Sequence, residues 1–540
     1  MARAAGATRV IRLALAFALL WLVLIQPNHP AAMTWGALAM VPLELPPLLA
    51  VVMLLGDSRS GRLVRAVLVA VIMSIGALKL ADFGTFIAFN RSFNLLVDLH
   101  LVAAGWELLK GSVGLVLAYI LGVGAVLALG LIAAGLWWAM GVWARVSLPR
   151  AVPTVVLVAG AALAVAEIGQ ARRAWSLPPA FAEVIPGAAF TARVGLERVE
   201  QLRETRADLA QFRTLARTDP MLDEGPFLDL LDGRDLILIY VESYGRSSFE
   251  NPLYIPTHTG TLRDIEAQLE AESLGMRSGW LTAPMVGGQS WLAHGSVATG
   301  LWLDTQARYR AVLASPRRTL HHFAQEAGMR TVAIKPAHVF PWPEGDFFGF
   351  DAIHNAPDLG YEGERFNWIT MPDQFTFKAL ERLELDRAPR PPILAQVALV
   401  SSHAPWVPIP ELVEWEEIGD GTIFNQWALS GDPPEVVWRD HDRVRDQFRL
   451  AVDYSLQVVG AWAERHAENP PLMVVLGDHE PARFVSGVDG FDVPVHIIGP
   501  TDLVDRFETL GWTEGLIPDP AIPARPMSDL RDDLLRLLSR

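Results

Sequence analysis

From Gly111 to Ala144 the chain runs 34 residues without one Asp, Glu, Lys or Arg. So long an uncharged, apolar segment fits the interior of a bilayer far better than the core of a water-soluble domain. One helical crossing takes about 20 residues, and two crossings with a turn take more than roughly 40. The segment is therefore read as one long helix, in preference to a hairpin folded at the glycines of residues 121–130. Apolar runs at 13–26, 35–55, 64–82 and 151–169 complete a set of five expected spans.

Arginines sort the loops between them. Arg3, Arg9 and Arg12 precede the first run, Arg59, Arg62 and Arg65 separate the second from the third, and Arg145 and Arg150 separate the fourth from the fifth. Positive loops stay on the cytoplasmic side, so five spans place the N-terminus inside and everything after residue 170 outside. The charge-spaced stretch 93–109 reads as an amphipathic helix on the outer interface. Glu44, set among Pro42, Pro46 and Pro47, marks a place where prolines break the second run.

The remainder of the chain has a different composition. Residues 1–170 carry 11 Lys and Arg against 6 Asp and Glu; of the totals of 45 and 60, the rest therefore carries 34 and 54. An acidic second part repels a phosphate backbone and argues against a nucleic-acid partner. Cysteine is absent, which excludes disulfides, thiolate nucleophiles and zinc-thiolate sites. Residues 171–230 read as a charged helical linker. From about 231 to 540, apolar runs at 235–243, 331–335, 393–401, 472–478 and 493–499 alternate with helical stretches such as 318–328 and 439–468. That alternation predicts an α/β domain with a mostly parallel sheet covered by helices on both faces.

The polar residues cluster where such runs end. Leu236–Val241 leads into Glu242, Leu472–Gly477 into Asp478 and His479, and the 393–401 run into His403. Open α/β sheets keep their chemistry at the carboxyl ends of strands. Carboxylates and imidazoles arriving there separately suit a divalent cation. Between the first two lies Gly287-Gly288-Gln289-Ser290, a glycine-rich turn that presents a hydroxyl at the start of a helix. As a helix cap Ser290 needs no further role, yet the same position also favours a developing anion.

Four motifs together, Val241-Glu242-Ser243, Gly287-Gly288-Gln289-Ser290-Trp291, Ser401-Ser402-His403-Ala404-Pro405-Trp406 and Gly477-Asp478-His479-Glu480-Pro481, resemble the alkaline phosphatase/sulfatase superfamily. With five spans before them, they are most similar to its membrane-anchored branch of lipoteichoic acid synthases, phosphoglycerol transferases and phosphoethanolamine transferases. The resemblance implies a sulfatase-like fold and one divalent metal ion, Mn2+ above Zn2+ or Mg2+. The ion would be held by Glu242, Ser290, Asp478 and His479. It also implies Ser290 as nucleophile and His403 as the histidine that contacts the phosphoryl group. Arg246, Lys335, His338, Trp291 and Trp406 are further candidates for substrate contact.

Three departures qualify the resemblance. Lipoteichoic acid synthases and phosphoethanolamine transferases generally use threonine where this chain has Ser290. Ser290 is followed by Trp-Leu-Ala-His, not the x-Pro-x-Arg that sulfatases need for formylglycine. Many phosphoethanolamine transferases are rich in disulfides. The expected activity is transfer of a phospho-head group, of phosphoglycerol or phosphoethanolamine type, from a membrane lipid to a glycan or lipid acceptor. The protein would be integral to a bacterial inner membrane, with residues 231–540 in the periplasm. Two alternatives stay open: an esterase with the same site that uses water, and a non-catalytic sensor or scaffold.

Overall fold

The computed structural model describes residues 2–89, 91–172, 174, 187–340 and 342–540. The chain divides into two compact units, residues 1–208 and 209–540.

In the first unit, four helices are long and apolar enough to cross a membrane: α1 (Ala2–Ile25, apolar from Ala7), α3 (Arg59–Phe89), α5 (Leu115–Trp143) and α6 (Ala151–Ala171), while α2 (Leu45–Leu55) is apolar but only 11 residues long. The expected second span, 35–55, is thus divided. A single helical turn, Trp35–Ala39, is followed by an extended pair at Val41–Pro42, and α2 begins only after Glu44 with Pro46 and Pro47 in its first turn. Proline lacks the N–H that an interior helical turn requires, so the chain cannot run through this point as one helix. The uncharged stretch 111–144 contains one uninterrupted helix, α5, preceded by α4 (Leu99–Val113), which covers much of the stretch expected to be amphipathic.

Lys79 and Asp82 are buried within the unit, each with several hydrogen-bond partners. Lys79 Nζ donates to the carbonyls of Leu24 and Gln26 and to Thr191 Oγ1, at 3.2, 2.8 and 2.8 Å. Asp82 accepts from Asn28, from the Phe93 N–H and from Arg198. Helix α7 (Phe190–Leu215) carries Thr191 and Arg198 and leads the chain into the second unit; the expected linker residues 175–186 lie outside the described ones.

The second unit is built on a nine-stranded sheet. In chain order its strands are β1 (Leu236–Val241), β2 (Gly275–Thr282), β3 (Arg330–Lys335), β4 (Ala352–Asn355), β5 (Ile393–Ala398), β6 (Leu472–Gly477), β7 (Asp492–Gly499), β8 (Thr513–Glu514) and β9 (Arg525–Pro526). Their spatial order is β8-β2-β7-β6-β1-β5-β3-β4, with β9 also pairing β2. Strands β6, β1, β5, β3 and β4 are mutually parallel, whereas β7 runs antiparallel to both β6 and β2. The sheet is therefore mixed, mostly parallel at its centre.

Every residue of β1 and β6 is buried. Alternate side chains of β1 feed two cores. Ile237, Ile239 and Val241 face one that includes Leu262, Phe448 and Trp462; Leu236, Leu238 and Tyr240 face the other, with Leu292, Phe323 and Leu534. A strand covered on both sides reads as a continuous apolar run, because neither face meets water. The proline-rich stretch 515–526 is tied to the β2 edge through β9 and a hydrogen bond from Trp280 Nε1 to the Asp519 carbonyl.

Candidate active site

Neighbouring strands β6, β1 and β5 deliver the central groups. Val241 pairs with Gly477, so Glu242 and Asp478 leave adjacent strands side by side. A side chain at 477 would drive a Cβ into the Tyr244 carbonyl oxygen, which is why the approach of these two chains needs glycine there.

Ser290 opens helix α8 (Ser290–Thr299), counting helices on from α7. The three residues before it, Gly287, Gly288 and Gln289, all have positive φ, at 76°, 134° and 69°. Gln289 pays no such conformation lightly, since a Cβ is crowded in the left-handed region. The turn is pinned from the segment that follows β6: the Gly287 N–H donates to the Glu480 carbonyl at 2.8 Å.

The side chains converge. Ser290 Oγ donates to Glu242 Oε2 at 3.0 Å and lies 3.3 Å from His479 Nε2. His479 Nε2 is 3.2 Å from Glu242 Oε1. Its other ring nitrogen, Nδ1, donates to the Glu480 carbonyl at 2.9 Å, which fixes the ring and aims Nε2 at the cluster. Asp478 Oδ1 accepts the N–H groups of Ser243 and His479, both at 2.8 Å, leaving Oδ2 for another partner.

Glu242, Asp478 and His479 offer ligand atoms that all lie within 4.8 Å of one another. Asp478 and His479 are each 1% exposed. Burial, and next the Glu242 carboxylate, push the Asp478 carboxyl up to about 8. Burial opposes the charged form of His479, but Asp478 and Glu242 outweigh it and raise the imidazole to about 10. Burial also raises Glu242, and the His479 charge overcomes it, for a net lowering. Two carboxylates confined together call for a positive partner. Two carboxylates, one imidazole and a hydroxyl make an oxygen-and-nitrogen donor set that fits a borderline-hard divalent ion. Glu242, Asp478, His479 and Ser290 would hold it.

His403, beyond β5, is exposed, and its Nδ1 lies 2.6 Å from the Ala404 carbonyl. Its charge acts on Glu242. Ser402 ties the two strand ends by donating to the Glu242 carbonyl at 2.7 Å. Lys335 ends β3, is 6% exposed, and sits 4.1 Å from the centre of the Trp342 ring. Burial brings its ammonium down to about 8. Burial and the Lys335 charge bring His338 down to about 4.

Other candidates are engaged elsewhere. Arg246 is held by Glu250 at 2.6 Å, by Asp492 at 3.2 Å and by the Pro520 carbonyl at 2.9 Å. Trp406 is 4% exposed and stacks on Trp438. Trp291 is 41% exposed and donates to Gln306 at 2.9 Å.

His294 was not singled out by sequence reasoning. It lies one turn past Ser290, with its ring 3.9 Å from that of Tyr240, and its Nε2 is buried with no hydrogen-bond partner among the described residues. Burial, and next the charge of Lys335, hold it neutral; Glu242, His338 and His479 also act on it. The i, i+4 spacing from Ser290 was the available signal.

The family described as Sulfatase matches residues 279–495, a span that holds Ser290, Lys335, His338, His403, Asp478 and His479. No curated protein matches the chain. Among solved structures, lipoteichoic acid synthase LtaP from Listeria monocytogenes is similar at 14% identity and a TM-score of 0.37, over 61% of this chain and 78% of that one. The zinc complex of the C-terminal periplasmic domain of EcEptC from Escherichia coli is similar at 15% identity and a TM-score of 0.37, over 57% and 82%. The phosphoglycerol transferase GacH from Streptococcus pyogenes, in complex with sn-glycerol-1-phosphate, is similar at 14% identity and a TM-score of 0.36, over 62% and 92%. A stretch that matches the Sulfatase family model thus lies within the second unit.

Proposed function

We propose that this protein is a membrane phosphotransferase that moves a phospho-head group, of phosphoglycerol or phosphoethanolamine type, from a lipid to a glycan or lipid acceptor. The observation that carries the reading is Ser290. Its hydroxyl opens a helix within 3.0 Å of Glu242 and 3.3 Å of His479, beside Asp478. A divalent ion held by this set, Mn2+ on the family resemblance, lowers the pKa of a hydroxyl and neutralises charge on phosphate oxygens.

The chain's own residues account for the rest. Glu242 accepts the Ser290 hydroxyl hydrogen and so aims the oxygen lone pairs into the site. The Ser290 Oγ–phosphorus bond forms as the bond from phosphorus to the diacylglycerol oxygen breaks, and the hydroxyl proton passes to solvent. His403 gives a proton to the departing alkoxide and takes one from the acceptor hydroxyl that attacks next; the acceptor oxygen–phosphorus bond forms as the Ser290 Oγ–phosphorus bond breaks, and Ser290 regains its proton from solvent. Lys335 and His338, with the neutral His294 beside them, supply positive charge and hydrogen-bond donors for phosphate oxygens. In this reading residues 231–540 form the catalytic domain on the outer side of a bacterial inner membrane, after a linker at 171–230 and a membrane domain at 1–170.

The test is release of diacylglycerol from phosphatidylglycerol or phosphatidylethanolamine by the purified full-length protein with Mn2+. Ser290→Ala is expected to abolish release while the protein stays folded. Unchanged release by that variant overturns the proposal. Release that needs no acceptor and yields free phosphorylated head group assigns the site to an esterase that uses water.

A further inference from the structure

The first unit contains a second, separate feature. A cavity of about 620 Å³ opens among the ends of three helices and is lined by Arg9, Arg12, Arg65, Arg145, Trp137 and Trp138. Arg9 and Arg12 come from the start of α1, Arg65 from the second turn of α3, and the two tryptophans from the end of α5. Two of the four guanidinium groups have a carboxylate nearby, Asp57, which lies 3.7 Å from Arg65 and 3.6 Å from Arg145.

Arg65 is the telling residue. It is 6% exposed, its guanidinium lies 3.7 Å from the centre of the Trp137 ring, and its Nε has no hydrogen-bond partner among the described residues. Gly141 makes its place: a Cβ there would come within 2.7 Å of Arg65 Nη1. Orienting a membrane protein needs positive charge in its loops only. It does not require an arginine recessed against a glycine and a tryptophan, with a cavity in front of it.

We propose that this cavity binds the phosphodiester head group of an anionic phospholipid. Planar guanidinium groups match phosphate oxygens in pairs, and a recessed, underpartnered one gains most from such an acceptor. A lipid fits better than a free anion because the lining continues into apolar Leu13 and Val142, at the ends of helices apolar enough to cross a bilayer. Tryptophans characteristically sit at that level of the membrane, and basic pockets between helix ends bind anionic head groups.

The experiment is native mass spectrometry of the full-length protein in a neutral detergent, titrated with phosphatidylglycerol or with phosphatidylcholine of the same acyl chains. The expected result is a preference for phosphatidylglycerol of about 10-fold or more. Each cavity arginine near the surface contributes about 5-fold, so Arg9→Gln with Arg12→Gln lowers that affinity by about 25-fold. These two side chains are exposed, so the pair tests the site without threatening the fold; Arg65→Gln tests the recessed position. Arg59→Gln with Arg62→Gln, exposed arginines at the same helix end but outside the cavity lining, is expected to change affinity less than about 2-fold. Equal binding of the two lipids overturns the proposal, and so does an equal loss in the control pair, which signifies diffuse charge. Displacement of the lipid by millimolar inorganic phosphate overturns the lipid assignment in favour of a free-anion site.

Discussion

On the proposed reading, protons and a metal ion compete for the same cluster, and the competition is measurable as stability. In chelated protein, Asp478 and His479 both have raised pKa values, about 8 and about 10, against ordinary values of 3.8 and 6.5. The stability each lends is complete below its ordinary value and is lost as pH rises through its raised one. Between pH 6.5 and 8 the fold therefore holds up to two more protons than the unfolded chain. Each such proton lowers stability by about 1.4 kcal/mol per pH unit, so the pair gives roughly 1–3 kcal/mol per unit, on the order of 5 °C in Tm. Glu480, pushed up to about 7 chiefly by burial, acts in the same direction, mostly below pH 7; Lys335, brought down to about 8, acts oppositely but mostly above pH 8.

Asp478→Asn tests the effect. It removes one of these protons and the like charge beside Glu242, while its amide oxygen can still accept from the Ser243 and His479 N–H groups. The slope should fall by at least about 1.4 kcal/mol per unit, because Asp478 also helps to raise His479, and the chelated variant should melt at or above the parent at pH 7.5. Mn2+ at about 100 times its Kd should stabilise the parent by about 2.7 kcal/mol and the variant hardly at all. Scanning calorimetry of the detergent-solubilised protein, with chelator or Mn2+, reads both. A parent whose chelated Tm is flat from pH 6.5 to 8, or a variant stabilised by Mn2+ as much as the parent, refutes the argument.

Three further outcomes follow from particular contacts. Gly477→Ala forces a Cβ against the Tyr244 carbonyl and should cost about 2–4 kcal/mol while lowering Mn2+ affinity at least about 10-fold, read by calorimetry and metal titration. Asp219→Ala strips the buried Arg531 of two hydrogen bonds, at 2.9 and 2.8 Å, and should destabilise by about 3–5 kcal/mol in thermal melts at pH 7. Burial raises the Asp219 carboxyl, but the Arg531 hydrogen bonds and charge lower it further. Its net pKa is below the ordinary 3.8, so its contribution is present above about pH 4 and fades as pH falls below that. His294→Leu removes a buried nitrogen without a partner, so Tm should hold or rise while lipid turnover drops by about 10-fold or more.

The centre of the second unit was legible because its strands are buried on both faces. Leu236–Val241 and Leu472–Gly477 carry no polar residue to interrupt the run, so the groups after them stand out. Strand β2 was not legible: Arg277, Ser278 and Gly279 break its apolar pattern, and its pairing with antiparallel β7 depends on residues more than 200 positions away. His294 was missed because a neutral buried histidine inside a helix looks like packing until Lys335 and Glu242, both distant in sequence, are seen to act on it. In the first unit, hydropathy located the apolar runs but could not set their lengths. Pro42, Pro46 and Pro47 decide that 35–55 is not one helix, an effect of missing backbone donors that an average over a window conceals.

The central claim is that Ser290 carries the transferred group. Incubating the full-length protein with Mn2+ and bacterial lipid extract, quenching in acid and analysing its peptides by mass spectrometry tests that claim most directly. The account predicts the mass of a phospho-head group on the peptide containing Ser290, absent from Ser290→Ala. A protein that consumes lipid while that peptide stays unmodified at every time point contradicts it.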